Sequence, residues 1–174
     1  MNFRPMQIGA LVLLSAALFS AAPPLDAQTP ADKAAAQALA DNTEKLVRLM
    51  KEDGFTYVGT SSPSVFVIHF TGDHLKDIRV ILALGPDEDS DLVIFVTVTP
   101  KATMPVTSDF RYKLLKSNFD YDMVKVGFDS DDDLSLRIDA SMRVADATYL
   151  KNVVNQVKNA SDEIYGMIQP SLVP

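Results

Sequence analysis

Residues 65–98, VFVIHFTGDHLKDIRVILALGPDEDSDLVIFVTV, decide the fold. Three β-branched and aromatic runs, Val65 to Phe70, Ile78 to Leu84 and Leu92 to Val98, are broken by Gly72-Asp73-His74 and by the acidic stretch Gly85 to Asp91, a pattern that predicts strands joined by tight turns. A shorter run, Phe55 to Gly59, precedes them across Ser61-Ser62-Pro63, so four consecutive strands form an antiparallel meander. Alternation within the main runs is blurred. Val65, Val67, Ile81, Ala83, Val93 and Phe95 are apolar like their neighbours, and strands apolar on both sides ask for cover on both sheet faces. Two arrangements answer that demand: helices wrapping both sides of a central strand or two, or one face kept for self-association or for a guest chain.

Helical patterns flank the meander. Thr29, Pro30 and Asp32 supply a capping hydroxyl, a proline for the first helical position and a carboxylate three residues on. Leu39, Thr43, Leu46, Val47 and Met50 then recur on one face to about Glu52, and Gly54 ends the helix. Beyond the meander, Pro100 and Pro105 close the sheet segment, and Thr107 or Ser108 caps a second helix carrying Phe110, Leu114, Leu115 and Phe119. A second hairpin alternates cleanly: Val124, Val126 and Phe128 face one way, while Leu134, Leu136 and Ile138 interleave with Ser135, Arg137 and Asp139. A long terminal helix starts near Asp146 with Leu150, Val153, Val154, Val157, Ile164 and Ile168 on one stripe. The order α-β-β-β-β-α-β-β-α, with its strands grouped, predicts an α+β fold with an antiparallel sheet, not a parallel βαβ layer. Residues 38–170 read as one domain, with 28–37 a flexible lead-in and the start of the first helix.

The N-terminus carries a different signal. Arg4 gives a short basic region, residues 8–19 form an apolar run and small residues follow, which is the pattern of a secretory signal peptide over residues 1–27. Cleavage after Ala27 places Leu25 at the minus-three position; cleavage after Ala22 offers the smaller pair Ser20 and Ala22 but sets Pro23 beside the bond. The run is shorter than the roughly 20 residues a spanning helix needs, so the expectation is a periplasmic or secreted protein with no stable membrane insertion after cleavage. The chain has no cysteine, which excludes lipoprotein processing and thiol chemistry and leaves stability to packing. Loss of residues 1–27 removes one cation, Arg4, and one anion, Asp26, so the net charge stays at −7, and such a surface repels nucleic acid and anionic membrane.

Candidate chemistry is sparse. Asp87, Asp89 and Asp91, and again Asp129, Asp131 and Asp133, stand at the alternate positions that calcium loops use. Such loops also require glycine at position six and Glu at twelve, where this chain has Leu92 or Leu134 and Val98 or Ala140, so both stretches read as solvated hairpin turns. Only His69 and His74 exist, and a zinc site has no further nitrogen or sulfur donors to call on. An enzyme reading uses either histidine with nearby carboxylates such as Asp73 and Asp77, or with Ser61 or Ser62 as nucleophile, yet neither serine sits in a nucleophile-elbow glycine pattern. The glycines never cluster into a phosphate loop. No catalytic, cofactor-binding or metal-ligating residue is therefore assigned. Most aromatic residues fall on strand or helix faces as core, while Phe119 and Tyr121, flanking Asp120, read as an exposed pair able to anchor a partner.

The stretch LLKSNFDYDMVKVGFDSDDDLSLRIDASM, residues 114–142, combines a helix ending in Leu114, Leu115 and Asn118, a strand, an acidic turn and an alternating Leu-x-Leu-x-Ile-Asp strand, and the closing amphipathic helix follows it. Over roughly Leu39 to Ile168 this order resembles the YbjN-like sensory transduction regulator family, which is similar in fold to type III secretion chaperones. The resemblance implies an α+β sandwich, often dimeric, whose members bind proteins without an active site. A signal peptide departs from that pattern, since secretion chaperones act before export. The expected function is thus an exported, non-enzymatic, chaperone-like module that pairs with itself as a homodimer or with a client protein. Its interaction surface is an apolar sheet face or strand edge carrying Val65, Val67, Ile81, Val93 and Phe95, with Phe119 and Tyr121 as further anchors.

Overall fold

Thr29 opens the first ordered element in the computed structural model, which describes residues 29–85, 91–105 and 107–173. The Thr29 hydroxyl accepts from the Asp32 N–H at 3.2 Å, and the Asp32 carboxylate accepts from the Thr29 N–H at 2.8 Å. This reciprocal cap satisfies donors that a helix start leaves orphaned, and α1 runs from there over Pro30–Glu52. Residues 30–37, read as lead-in and helix start, are helical throughout. The expected stripe of α1 gains Leu49, which is buried with Leu46 and Met50. The signal-peptide segment and most of the first acidic turn lie outside the described residues.

Six strands follow in one antiparallel sheet: β1 Tyr57–Gly59, β2 Val65–Phe70, β3 Ile78–Leu84, β4 Asp91–Thr99, β5 Lys125–Phe128 and β6 Leu134–Ser141. Their spatial order is β1-β2-β3-β4-β6-β5. The first four form the expected meander. The chain then leaves β4 through a 3-10 turn at Lys101–Thr103 and α2, Ser108–Ser117, and returns as β5 on the far side of β6. β1 begins at Tyr57 and not at Phe55, because the Phe55 N–H is spent on the Met50 carbonyl, 2.9 Å away, in closing α1.

Helices cover one face of this sheet. α3, Ala147–Ile168, is capped by the Asp146 carboxylate, which accepts from the Tyr149 N–H at 2.7 Å. Its buried stripe includes all six residues read from the periodicity, joined by Ala160 and Ser161. Leu150, Val154 and Val157 are fully enclosed, each worth about 1.5–3 kcal/mol of transfer from water. Together with the α1 stripe they cover Phe66, Ile68, Val80, Leu82, Ile94, Val96, Leu136 and Ile138 in one continuous core. Phe110 and Leu114 of α2 close that core beside β5. Burial alternates strictly along β2, β3 and the first part of β4, so the blurred hydrophobic pattern resolves into a core face and a second face of a different kind.

Candidate functional site: the uncovered face of the sheet

Strand register assembles that second face. Val67 lies opposite Val58 of β1 and Ile81 of β3; Ile81 lies opposite Phe95 of β4; and Phe95 lies opposite Arg137 of β6, which in turn faces Lys125 of β5. A parallel row joins Val65, Ala83, Val93 and Asp139. Val65, Val67, Ile81, Ala83, Val93 and Phe95 are all half-buried, and none of them belongs to the core cluster or packs against it. They lie beside one another across β2, β3 and β4. Among the described residues this is a second apolar cluster, about 10 Å across three strands and about 7 Å along them.

Charge borders the cluster at both ends. On the β6 side the Asp139 carboxylate accepts from Lys125 Nζ at 2.7 Å and from Arg137 Nε at 2.6 Å. Partial burial works to raise this carboxyl, but the two cations outweigh it and hold it below the ordinary carboxylate range. Between these groups lies a shallow depression of ≈ 350 Å³, lined by Val93, Phe95, Lys125, Gly127, Ser135 and Arg137. At the other end His69 Nδ1 stands 3.3 Å from Asp77 Oδ1, and Arg79 Nε stands 3.6 Å from Asp77 Oδ2, all exposed.

The sheet edges offer less to a guest strand. β1 is three residues long. At the opposite edge the Asn118 carboxamide occupies both peptide groups of Val126: its Oδ1 accepts from the Val126 N–H at 2.7 Å, and its Nδ2 donates to the Val126 carbonyl at 3.2 Å. A neighbouring strand would bond there in the same way, so the side chain blunts the edge. Read from sequence, Asn118 marked only a helix end. No local pattern announces an amide that reaches eight residues ahead.

Phe119 and Tyr121 do not form a pair. Phe119 is 93% exposed. Tyr121 is half-buried against the core, and its hydroxyl donates to Glu163 Oε2 at 3.0 Å. Burial first, then the Glu163 carboxylate, pushes this phenol far above its usual range. Two other aromatic residues depart from the core reading, since Tyr112 and Phe128 are exposed.

The two histidines sit in separate settings. His74 belongs to the β2–β3 turn, where Asp162 of α3 accepts from three successive N–H groups: Asp73 at 2.9 Å, His74 at 2.9 Å and Leu75 at 2.7 Å. Burial works to raise the Asp162 carboxyl, but these three donors prevail and hold it below the ordinary range. The His74 ring rests on Gly166, where an added Cβ would come within 2.7 Å of it. Asp162 also lies so close to Gly72 that any side chain there would overlap its carboxylate. The bond from the Leu75 N–H to Asp162 spans 87 residues of sequence, which hid it from any local reading. The second acidic turn is likewise explained by backbone needs: Asp129 Oδ1 accepts from the Asp131 and Asp133 N–H groups at 3.0 Å each, and Asp133 accepts from the Lys101 N–H at 2.8 Å. Among the described residues no group of three or more His, Cys, Asp or Glu side chains is placed to hold a metal ion, and no helix is long and apolar enough to cross a membrane.

Comparison with protein-family models and with curated proteins returns no match for this chain.

Proposed function

We propose that this chain is an exported, non-enzymatic, chaperone-like module that holds an amphipathic segment of a client protein on the uncovered face of its sheet. One observation carries the reading: Val65, Val67, Ile81, Ala83, Val93 and Phe95 form an apolar cluster divided from the core by the sheet itself. Half-buried apolar surface of this kind gains about 25 cal/mol per Å² when a partner covers it. Its width suits the apolar stripe of a single helix or strand, since a helix with side chains measures about 10–12 Å across. A sheet-on-sheet contact of standard size would need about 800 Å² from each copy and would have to bury the Lys125, Arg137 and Asp139 network as well. The flanking charges instead set the direction in which a guest lies.

Residues 8–19 support export to the periplasm or beyond, and the resemblance of residues 39–168 to the YbjN-like family supports protein binding as the role. The test uses a permanently unfolded chain, reduced and carboxymethylated α-lactalbumin, labelled for fluorescence anisotropy. Saturable binding is expected, weakened by at least about tenfold in Phe95→Lys and unchanged in Arg48→Ala on exposed α1. Absence of saturable binding, or equal binding by Phe95→Lys, overturns the proposal.

A further inference from the structure

Phe128 holds a core-facing position without a cover. On the edge strand β5 it pairs with Leu134, a fully buried member of the core, yet Phe128 stays 47% exposed. Directly opposed residues of neighbouring strands share a sheet face, so Phe128 lies on the helix side, away from Phe95. The space before it is a cleft of ≈ 410 Å³ between α2, the 3-10 turn and the β5–β6 turn, walled by Phe128, Phe110, Met104 and Pro105. Its base is apolar, since Phe110 and Met104 are buried core residues.

Charge sits on the rim. Asp132, in the left-handed conformation at φ 62°, turns its carboxylate to the Lys101 ammonium, which donates to it, so these two groups neutralise each other. Arg111 of α2 is the third charged group of the rim, and its guanidinium has neither a hydrogen bond nor an ion pair among the described residues. One uncommitted cation thus overhangs an apolar cleft in a chain whose net charge is −7.

From this we infer that the cleft binds a small aromatic monocarboxylate, its ring system between Phe110 and Phe128 and its carboxylate on the Arg111 guanidinium. The volume falls within the about 300–1,000 Å³ of small-molecule sites, which pair apolar walls with a few placed polar groups. A ring between two phenyl groups gains offset or edge contacts. The guanidinium presents a planar fork of donors that matches a carboxylate. A phosphate or dicarboxylate suits the rim less well, because its second charge would stand against Asp132. A client side chain also fits less well, since the apolar cluster proposed to hold the client lies on the other face of the sheet. The two depressions share only Phe128, at the sheet edge, so this site goes beyond the client reading and does not rest on it.

Titration of the purified protein with 2-naphthoate, followed by backbone amide shifts, tests the site. Saturable shifts are expected at Met104, Phe110, Arg111 and Phe128, while Val67 and Ile81 stay still. Arg111 is exposed, so Arg111→Gln leaves the core intact, and it weakens binding by at least about tenfold. The uncharged 2-naphthamide binds more weakly than 2-naphthoate by a similar factor, and this comparison needs no variant. Phe95→Lys leaves 2-naphthoate binding unchanged, which separates this inference from the client reading. No saturable shift at any soluble concentration, equal binding by Arg111→Gln or by the amide, or shifts centred on Val67 and Ile81 overturns it.

Discussion

Ile81 and Phe95 stand directly opposite one another on adjacent strands, and both face away from the core. Their strand neighbours, Leu82 and Ile94, are also paired and are fully buried. Two adjacent positions on β4 therefore make contrasting predictions. Ile94→Ala removes a packed side chain and costs about 2–5 kcal/mol. Phe95→Lys keeps its stem along the sheet and its ammonium in water, so it costs less than about 1 kcal/mol while client binding falls. Urea unfolding of both variants measures the difference.

Asp162 ties α3 to the β2–β3 turn through three N–H donors. Asp162→Asn loses the charge and part of the bonding, with an expected cost of about 2 kcal/mol at pH 7. The folded carboxyl titrates below its unfolded value, so its stabilisation is complete above the unfolded pKa of 3.8 and disappears as pH falls through the folded one. Thermal melts from neutral to acid pH should show the wild type and Asp162→Asn converging. A constant gap down to the most acid point contradicts this account.

Asp53 carries the opposite sign. Its backbone N–H closes α1 by donating to the Leu49 carbonyl at 3.1 Å, and one of its carboxylate oxygens is buried without a hydrogen-bond partner in the described structure. Burial raises its pKa, with Glu52 and Asp146 adding to the rise and Lys151 opposing it. A raised pKa means that the native state holds the proton more tightly than the unfolded chain, so ionisation at neutral pH costs stability. Asp53→Asn should stabilise the protein by up to about 1 kcal/mol at pH 7 and lose that advantage below the unfolded pKa. Differential scanning calorimetry at the two pH values reads the change.

Gly72→Ala should prove more damaging than an exposed glycine change. A Cβ at Gly72 overlaps the Asp162 carboxylate and approaches Ile78, whereas one at Gly127 meets nothing. The expected loss is about 1–3 kcal/mol for Gly72→Ala and within about 0.5 kcal/mol for Gly127→Ala. Melting temperatures compare them directly.

Local pattern carried much of the fold and little of what locks it. β2 and β3 begin and end where the apolar runs do, because Gly72-Asp73-His74 and Ser61-Ser62-Pro63 are strong breakers beside β-branched residues. The excess apolar character of Ile81, Val93 and Phe95 correctly pointed to a second apolar face on the sheet. Side-chain direction on α2 was less legible: Leu114 and Leu115 are adjacent in sequence yet lie on opposite sides of the helix, and composition alone put both in one set. Tyr121 is separated from Phe119 by one residue and is turned inward by a bond to Glu163, 42 residues away. Asn118 on Val126 and Asp162 on the distant turn leave no periodic trace, since a polar residue's partner is set by tertiary placement and not by spacing.

The most direct test of the central claim is a residue-level map of client contact on the folded protein. Backbone amide shifts followed by NMR during titration with reduced, carboxymethylated α-lactalbumin should move at Val65, Val67, Ile81, Val93 and Phe95 and remain still at Asp73, His74 and Asp162. Shifts confined to the turn around His74, or no shifts at saturating ligand, contradict the assignment of the uncovered sheet face as the binding surface.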